Sequence, residues 1–499
     1  MTKIPTQKQI NSLLQHYQAG RLSDAEKLAS SMTQKFPKHQ FAWKVLGAVL
    51  KQKGMKAETL NANQKAVQLV PQDASAHNNL GVTLQGLGRL EEAEDSLRQA
   101  IVLKSDFVEA HTNLGNTLKE LDRLEEAEVS LRQAIALKSE FFEAHYNLGN
   151  TLKELARFEE AEVSLRQAIA LNPNFAEAHN NIGVILQKLD RLEDAEASYR
   201  QAIALKPDYI DAFMNIWDLL FKKREFEAAL KVSDLWDTEA SRLHSLEALY
   251  ALGRIEEIYQ RIEMQSEVDD ENLRVAAFAS FISNKEKKDT AHNFCNEPLK
   301  FIHFANVSSY VQDTNVFIKE IVEELHDVKT IWEPDEKATR KGFQTTRNIN
   351  LFAKPSVKVA HLKSIIIKEL DSYYLKFQNR SCSYIQKWPT EKNLNSWYVI
   401  LKHQGYQTAH IHPAGWLSGV IYLKVVPTLG RDEGAIEFSL NGENYSDDNS
   451  PKVVHQPKIG DIIFFPSSLY HKTIPFTTDT DRIIISFDLM PETARHKFL

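Results

Sequence analysis

Cysteine is almost missing: the 499-residue chain has two, Cys295 and Cys382. Two thiols outside a CxxC spacing build neither a disulfide framework nor a thiolate zinc clip, and they read as small buried hydrophobes. Long apolar runs are missing too. Nowhere do eighteen apolar residues follow one another, and the opening "MTKIPTQKQINSLLQHYQAG" has no apolar signal-peptide core; the expectation is a cytoplasmic chain without a membrane partner. No strongly basic run appears against a formal charge of −7, which argues against nucleic acid. What remains, 43% hydrophobic and 25% charged residues, suffices for two or more domains with sizeable cores.

The first half repeats itself. Leu46-Gly47, Leu80-Gly81, Leu114-Gly115, Leu148-Gly149 and Ile182-Gly183 recur every thirty-four residues, the period of the tetratricopeptide helix-turn-helix. Ala93, Ala127, Ala161, Ala195 and Ala229 stay small in the same phase, and Pro37, Pro71, Pro173 and Pro207 end the second helix of their units. Small residues let paired helices approach, and proline stops a helix for want of an amide hydrogen. About seven units span 6–243, the outer ones degenerate as at the ends of a solenoid. Asn79, Asn113, Asn147, Asn181 and Asn215 form another column of this period. A carboxamide donates and accepts, so such a ladder suits an extended peptide backbone; the alternative is bonding between helices. It resembles the ladder of protein O-GlcNAc transferases, which implies a protein or peptide partner. His77, His111, His145 and His179 share the period but occupy a packing position, so a structural role is expected rather than metal binding.

The chemistry concentrates in 410–482, where polar residues punctuate short apolar strands: "HIHPAGWLSGVIYL" (410–423), "GAIEFSL" (434–440), "GDIIFFPSSLYHKTIPF" (460–476) and "RIIISFDL" (482–489). On an extended strand residues i and i+2 share a face, so His410 and His412 can point two imidazoles into one interior. His471, between two β-rich runs, is the candidate third ligand. Three histidines without thiolate suit a catalytic rather than a structural metal. Arg482 opens a strand of apolar alternation, and a buried guanidinium calls for an anion such as a dicarboxylate.

Residues 384–490 resemble the double-stranded β-helix domain of the iron(II)- and 2-oxoglutarate-dependent oxygenases, through the ordered "HxHP", "LSGVIYL", "FPSSLYHKTIP" and Arg482 motifs. The resemblance implies iron(II) at His410 and His471, 2-oxoglutarate with its distal carboxylate on Arg482 and Tyr422, and O2 as the other substrate. It further implies oxidative decarboxylation to succinate coupled to hydroxylation. Tyr398 is a further candidate against the cosubstrate, with its side of the strand left open. The departure is His412, where the family usually has Asp or Glu. Three readings stay open: His412 as ligand in a three-histidine site, His412 outside the ligand set, or a motif shifted so that His412 is first and Ala414 marks the vacancy of an iron halogenase.

The expected architecture is an all-α tetratricopeptide superhelix (6–243), a degenerate helical cap with a linker (244–299), and an α+β domain with a jelly-roll core (300–499). The charged stretch 283–293 reads as the linker, and helices at 316–328 and 359–377 as buttresses of the barrel. Arg347 and Asn350 are candidates for the substrate entrance, against a capped loop that packs Leu351 and Phe352. The loop 441–450 reads as a lid or a solvated hairpin tip. The leading function is a 2-oxoglutarate-dependent hydroxylase whose repeats recruit a protein or peptide; the alternatives are an inactive scaffold that binds metal or ligand, and a cupin-like zinc or manganese enzyme.

Overall fold

The computed structural model describes residues 4–334, 337–346, 349–427 and 432–492, and the chain divides into two compact units between Leu219 and Leu220. The first unit is a tetratricopeptide superhelix of paired helices, for instance Val108–Glu120 with Leu124–Leu137 and Phe142–Glu154 with Phe158–Leu171. The glycine column marks where the helices of a pair cross. A Cβ on Gly81, Gly115 or Gly149 would lie 2.6 Å from the Cγ of Leu97, Leu131 or Leu165, too close for any side chain. Ala93, Ala127, Ala161 and Ala195 are fully buried. The histidine column is structural as expected: Nε2 of His77, His111, His145 and His179 bonds the carbonyl oxygen of Pro71, Ser105, Ser139 and Pro173 at 2.9–3.0 Å.

Arginine ties unit to unit. Arg123 reaches Glu94 at 2.6 Å and Glu126 at 2.7 Å, Arg157 reaches Glu128 and Glu160 at 2.6 Å each, and Arg191 reaches Glu162 at 2.8 Å and Asp194 at 2.6 Å. Each follows a left-handed turn residue: Asp122 (φ 61°), Ala156 (φ 56°) and Asp190 (φ 58°) stand where an earlier repeat has Gly88 (φ 72°).

The second unit begins with helices α1 (Phe226–Leu235), α2 (Glu239–Ala251), α3 (Ile255–Met264) and α4 (Leu273–Glu286). They carry the repeat pattern onward yet belong with the C-terminal unit. The stretch 283–293 is not a free tether. Helix α4 runs into it as far as Glu286, Lys287 ends that helix at φ 53°, and His292 is buried with Nε2 2.8 Å from the Asp269 carbonyl oxygen. Its charge density misled because the charged residues face outward while one histidine anchors the segment inward.

The remainder is a double-stranded β-helix. Strands β1 (His303–Asn306), β2 (Thr330–Trp332), β3 (Thr339–Thr345), β4 (Leu394–Gln407), β5 (Leu417–Lys424), β6 (Ile436–Ser439), β7 (Lys452–His455), β8 (Asp461–Pro466), β9 (Tyr470–Thr473) and β10 (Arg482–Leu489) form two antiparallel sheets, ordered β1-β8-β5-β10-β4-β3-β2 and β7-β6-β9. The alternation of β10 assigns the two faces of the larger sheet. Ile483, Ile485 and Phe487 pack outward with Phe464, Ile421 and Tyr398 on α5 (Thr314–Glu324) and α6 (Val357–Phe377), where Phe317, Leu362 and Tyr373 meet them. Ile484 packs inward with Val399, Leu401, Val420, Tyr422 and Phe465, facing Ile436 and Phe438 of the smaller sheet. The two predicted helices therefore buttress the outer face. The loop 441–450 is neither a free lid nor a solvated tip: Tyr445 is buried, 4.9 Å from the ring of Phe278 and 4.7 Å from that of Phe281 on α4.

Candidate metal centre

His410 follows β4, and His471 lies on β9; an isolated antiparallel bridge joins their backbones, with His410 N–H donating to the His471 carbonyl and the reverse, both at 3.1 Å. His412 is held two residues on by its own N–H, which donates to Ser467 O at 3.0 Å. One ring nitrogen from each of the three lies within 4.8 Å of the others. The partners of Nδ1 identify that nitrogen. Nδ1 of His410 faces Thr408 O at 2.7 Å, that of His471 faces Leu469 O at 3.2 Å, and that of His412 faces Asp488 Oδ1 at 2.7 Å. Carbonyl and carboxylate oxygens only accept, so each Nδ1 carries the proton and each Nε2 keeps a lone pair for a metal. Burial pushes the His410 imidazole down to about 3 and that of His471 well below its ordinary range, with neighbouring histidines adding repulsion. Both are neutral, ligand-ready bases at physiological pH.

The missing family carboxylate is present one step out. Asp488 ends the inward face of β10, bonds His412, and accepts from Ser418 Oγ at 2.7 Å. Gly415 makes this approach possible, since a Cβ there would lie 2.8 Å from Ser467 Oγ and 2.9 Å from Asp488 Cγ. A carboxylate behind a ligating histidine fixes its tautomer and raises its basicity. Asp488 escaped the sequence reading although it stands six residues after Arg482, on the same strand face, as the acid closing an apolar run. Trp397 belongs here as well: its ring lies 5.2 Å from that of His412 and it lines the adjoining cavity of about 570 Å³.

Arg482, 1% exposed, shares the inward face. Its Nε donates to Gly434 O at 3.2 Å and Nη2 to Tyr422 Oη at 3.3 Å, while Nη1 is buried with no partner among the described residues. Burial lowers the guanidinium's proton affinity, and burial lifts the Tyr422 phenol to about 12 although the Arg482 charge opposes it. A buried cation with an orphaned donor and, among the described residues, a phenol as its only side-chain partner is suited to an incoming carboxylate. Iron(II) and 2-oxoglutarate thus fit the residues present: three convergent ring nitrogens for the one, an unsatisfied guanidinium for the other.

Of the remaining candidates, Tyr398 is not brought to this face; it packs outward against the helices. Asn350 caps its loop, donating to Leu394 O at 3.1 Å and accepting from Phe352 N at 3.0 Å, with Leu351 and Phe352 buried. Arg347 lies outside the described residues. In the repeats, Asn79, Asn113 and Asn147 line a groove of about 710 Å³. Several amides of this column also join neighbouring repeats: Asn113 donates to Asn78 at 2.9 Å, Asn181 to Asn150 at 2.8 Å and Asn215 to Asn180 at 2.9 Å. Binding and bracing readings therefore meet in one column.

Comparison with known proteins agrees with this anatomy. Residues 395–488 match the family model described as "Putative 2OG-Fe(II) oxygenase", and tetratricopeptide models match 74–104, 115–156 and 146–210. The chain therefore carries tetratricopeptide repeats followed by a C-terminal domain of that family. No curated protein matches it. Solved structures similar to it include a chain of the APC/C hetero-tetramer Cut9-Hcn1 (18% identity, TM-score 0.40, covering 42% of each chain). YrrB, titled a TPR protein with an unusual peptide-binding site, is 21% identical with a TM-score of 0.31 over 37% of this chain and 96% of that one. PilF of Pseudomonas aeruginosa is 22% identical with a TM-score of 0.35 over 41% and 96%. The chain spans less than half the length of the first of these. No helix among the described residues is long and apolar enough to cross a membrane.

Proposed function

We propose that this protein is an iron(II)- and 2-oxoglutarate-dependent hydroxylase with His410, His412 and His471 as metal ligands, whose repeats recruit a protein or peptide substrate. The observation that carries the reading is the orphaned Nη1 of Arg482, buried on the same inward face that ends at the histidine cluster. A degenerate barrel has no use for an uncompensated buried cation, because such a group costs stability until an anion arrives. Bound iron(II) and 2-oxoglutarate would supply the oxygen activation and the oxidising power.

The chain's own residues orient and exclude. Arg482 and Tyr422 hold the distal carboxylate of the cosubstrate. Asp488, Thr408 and Leu469 keep the three imidazoles in the metal-binding tautomer. The apolar inward face, with Val420, Phe438, Phe465 and Ile484, keeps water from the reacting atoms. The family description and the histidine cluster support an oxygenase; hydroxylation is the finer reading. Asn79, Asn113, Asn147, Asn181 and Asn215 are the residues we assign to peptide recruitment. A cytoplasmic setting suits two cysteines that remain unpaired.

The test is succinate formation from 2-oxoglutarate by protein loaded anaerobically with iron(II) and then exposed to oxygen. The expected result is a metal-dependent signal lost in His471→Ala. Absence of both succinate and calorimetric binding of 2-oxoglutarate would overturn the reading and leave a scaffold.

A further inference from the structure

The cavity beside His410 and His412 has one wall that the barrel does not supply. Arg274, on α4 of the repeat-derived cap, lines it, together with Trp397, Gln344 and Asp488. Arg274 also lines a second cavity of about 550 Å³, and Pro413 and Ala414 are common to both.

Glu239, Glu267, Asp270 and Glu271 share the second cavity with Arg274, yet among the described residues none of them forms an ion pair with it. Arg274 is the second residue of α4, in the first turn at the positive end of the helix dipole, where cations are disfavoured. It is half-buried, and among the described residues no hydrogen bond or ion pair receives its guanidinium. The nearby acids of the second cavity are partly engaged elsewhere: Lys387 holds Asp270 at 2.6 Å and Glu271 at 3.1 Å. Burial lowers its proton affinity, with Glu239 opposing at longer range. The helix dipole and partial burial both weigh against a cation at this position. Unlike Arg482, this guanidinium is not sealed from water; it lines the cavity that also reaches His410 and His412.

We propose that Arg274 is a substrate-recognition residue, and that the peptide to be oxidised carries an oxyanion, an acidic side chain, close to the reacting residue. This rests on the reading of the site as an oxygenase acting on peptides. Guanidinium is the side chain best matched to a planar carboxylate, and it takes a phosphate equally, so phosphoserine is the other source of the same chemistry. The cap thereby acts in selection as well as in ending the solenoid: it places a charge filter at the entrance to the metal.

The experiment uses the full-length protein with iron(II) and 2-oxoglutarate under anaerobic conditions. Capped pentapeptides Ac-Ala-Ala-X-Ala-Ala-NH2, with X as Glu, Gln, phosphoserine or Lys, are titrated by calorimetry into wild type, Arg274→Gln, Arg274→Lys and Arg274→Glu. Melting temperature and 2-oxoglutarate affinity are read on the same samples. The expected result is a preference for Glu over Gln of about tenfold, the worth of one charge-assisted pair. It is absent in Arg274→Gln, partly kept in Arg274→Lys and reversed toward Lys in Arg274→Glu. A phosphoserine peptide that outranks Glu with the same Arg274 dependence assigns the anion to phosphate. No acid preference in wild type, or one that survives Arg274→Gln, overturns the inference. Arg274-dependent preference in protein that binds no 2-oxoglutarate would overturn the oxygenase reading and leave the anion site, whereas 2-oxoglutarate binding without preference removes the anion site alone.

Discussion

The two units use arginine in opposite ways. In the solenoid Arg123, Arg157 and Arg191 lie at the surface, each clasping two carboxylates from adjacent repeats. Among the described residues of the C-terminal unit, Arg482 is sealed in the core with no carboxylate partner, and Arg274 lines a cavity without forming an ion pair. Exposed pairs are individually weak because water competes for both partners and salt screens them. A buried unpaired cation is costly. Paired arginines therefore describe how this chain holds itself together, and unpaired ones describe what it is built to hold.

The largest effect expected on this contrast comes from the histidines themselves. His471→Ala removes a ligand and should lower iron(II) affinity by more than the roughly 10–100-fold that outer partners carry, read as loss of metal-dependent succinate formation. Asp488→Asn keeps the shape but weakens the acceptor on His412; a loss of about 10–100-fold in metal affinity is expected by competitive chelation. An unchanged affinity would mean that Asp488 only packs.

The carboxylates sharpen the comparison through pH. Burial, with repulsion from Glu443, lifts the Glu247 carboxyl to about 8 although Asn444 bonds it. Its folded value lies above its ordinary 4.5, so its contribution is complete below that value and is lost as pH rises through about 8. Glu128 and Glu162 behave oppositely: burial raises them, but their arginine pairs outweigh it and hold them low. Their contribution is lost as pH falls through the carboxylate range. Hydrogen exchange should show the C-terminal unit weakening from about pH 4.5 to 8 and Glu247→Gln flattening that slope. The smallest change is Ala156→Gly, which relieves a left-handed alanine and should stabilise the solenoid by about 1 kcal/mol in denaturant melts.

The repeat was legible because it is written five times over. Leu-Gly columns, small alanines and prolines restate one packing rule, and any one of them can fail, as Ser105 and Ser139 do, without hiding the period. The metal motif was legible for a different reason: His410, His412 and His471 stand out against apolar strands. What stayed hidden depended on tertiary register. Asp488 reads as the end of a strand until β10 is paired with β5, which sets it opposite Ser418. Tyr398 and Trp397 are neighbours on β4 with opposite fates, and only the pairing with β10 decides which of them meets the histidines. Arg274 sits in helical sequence more than a hundred residues before the motif it adjoins.

The most direct measurement of the claim that unpaired cations mark ligand sites is a pair of thermal melts, wild type against Arg482→Met, each with and without manganese(II) plus 2-oxoglutarate in place of the oxygen-sensitive iron pair. The account predicts that the ligands raise the wild-type Tm through linkage. It also predicts that unliganded Arg482→Met melts at or above wild type, because a buried uncompensated charge is gone, and that this variant no longer responds to 2-oxoglutarate. A variant that melts well below wild type, together with a wild type that ignores 2-oxoglutarate, would contradict it and make Arg482 a structural residue.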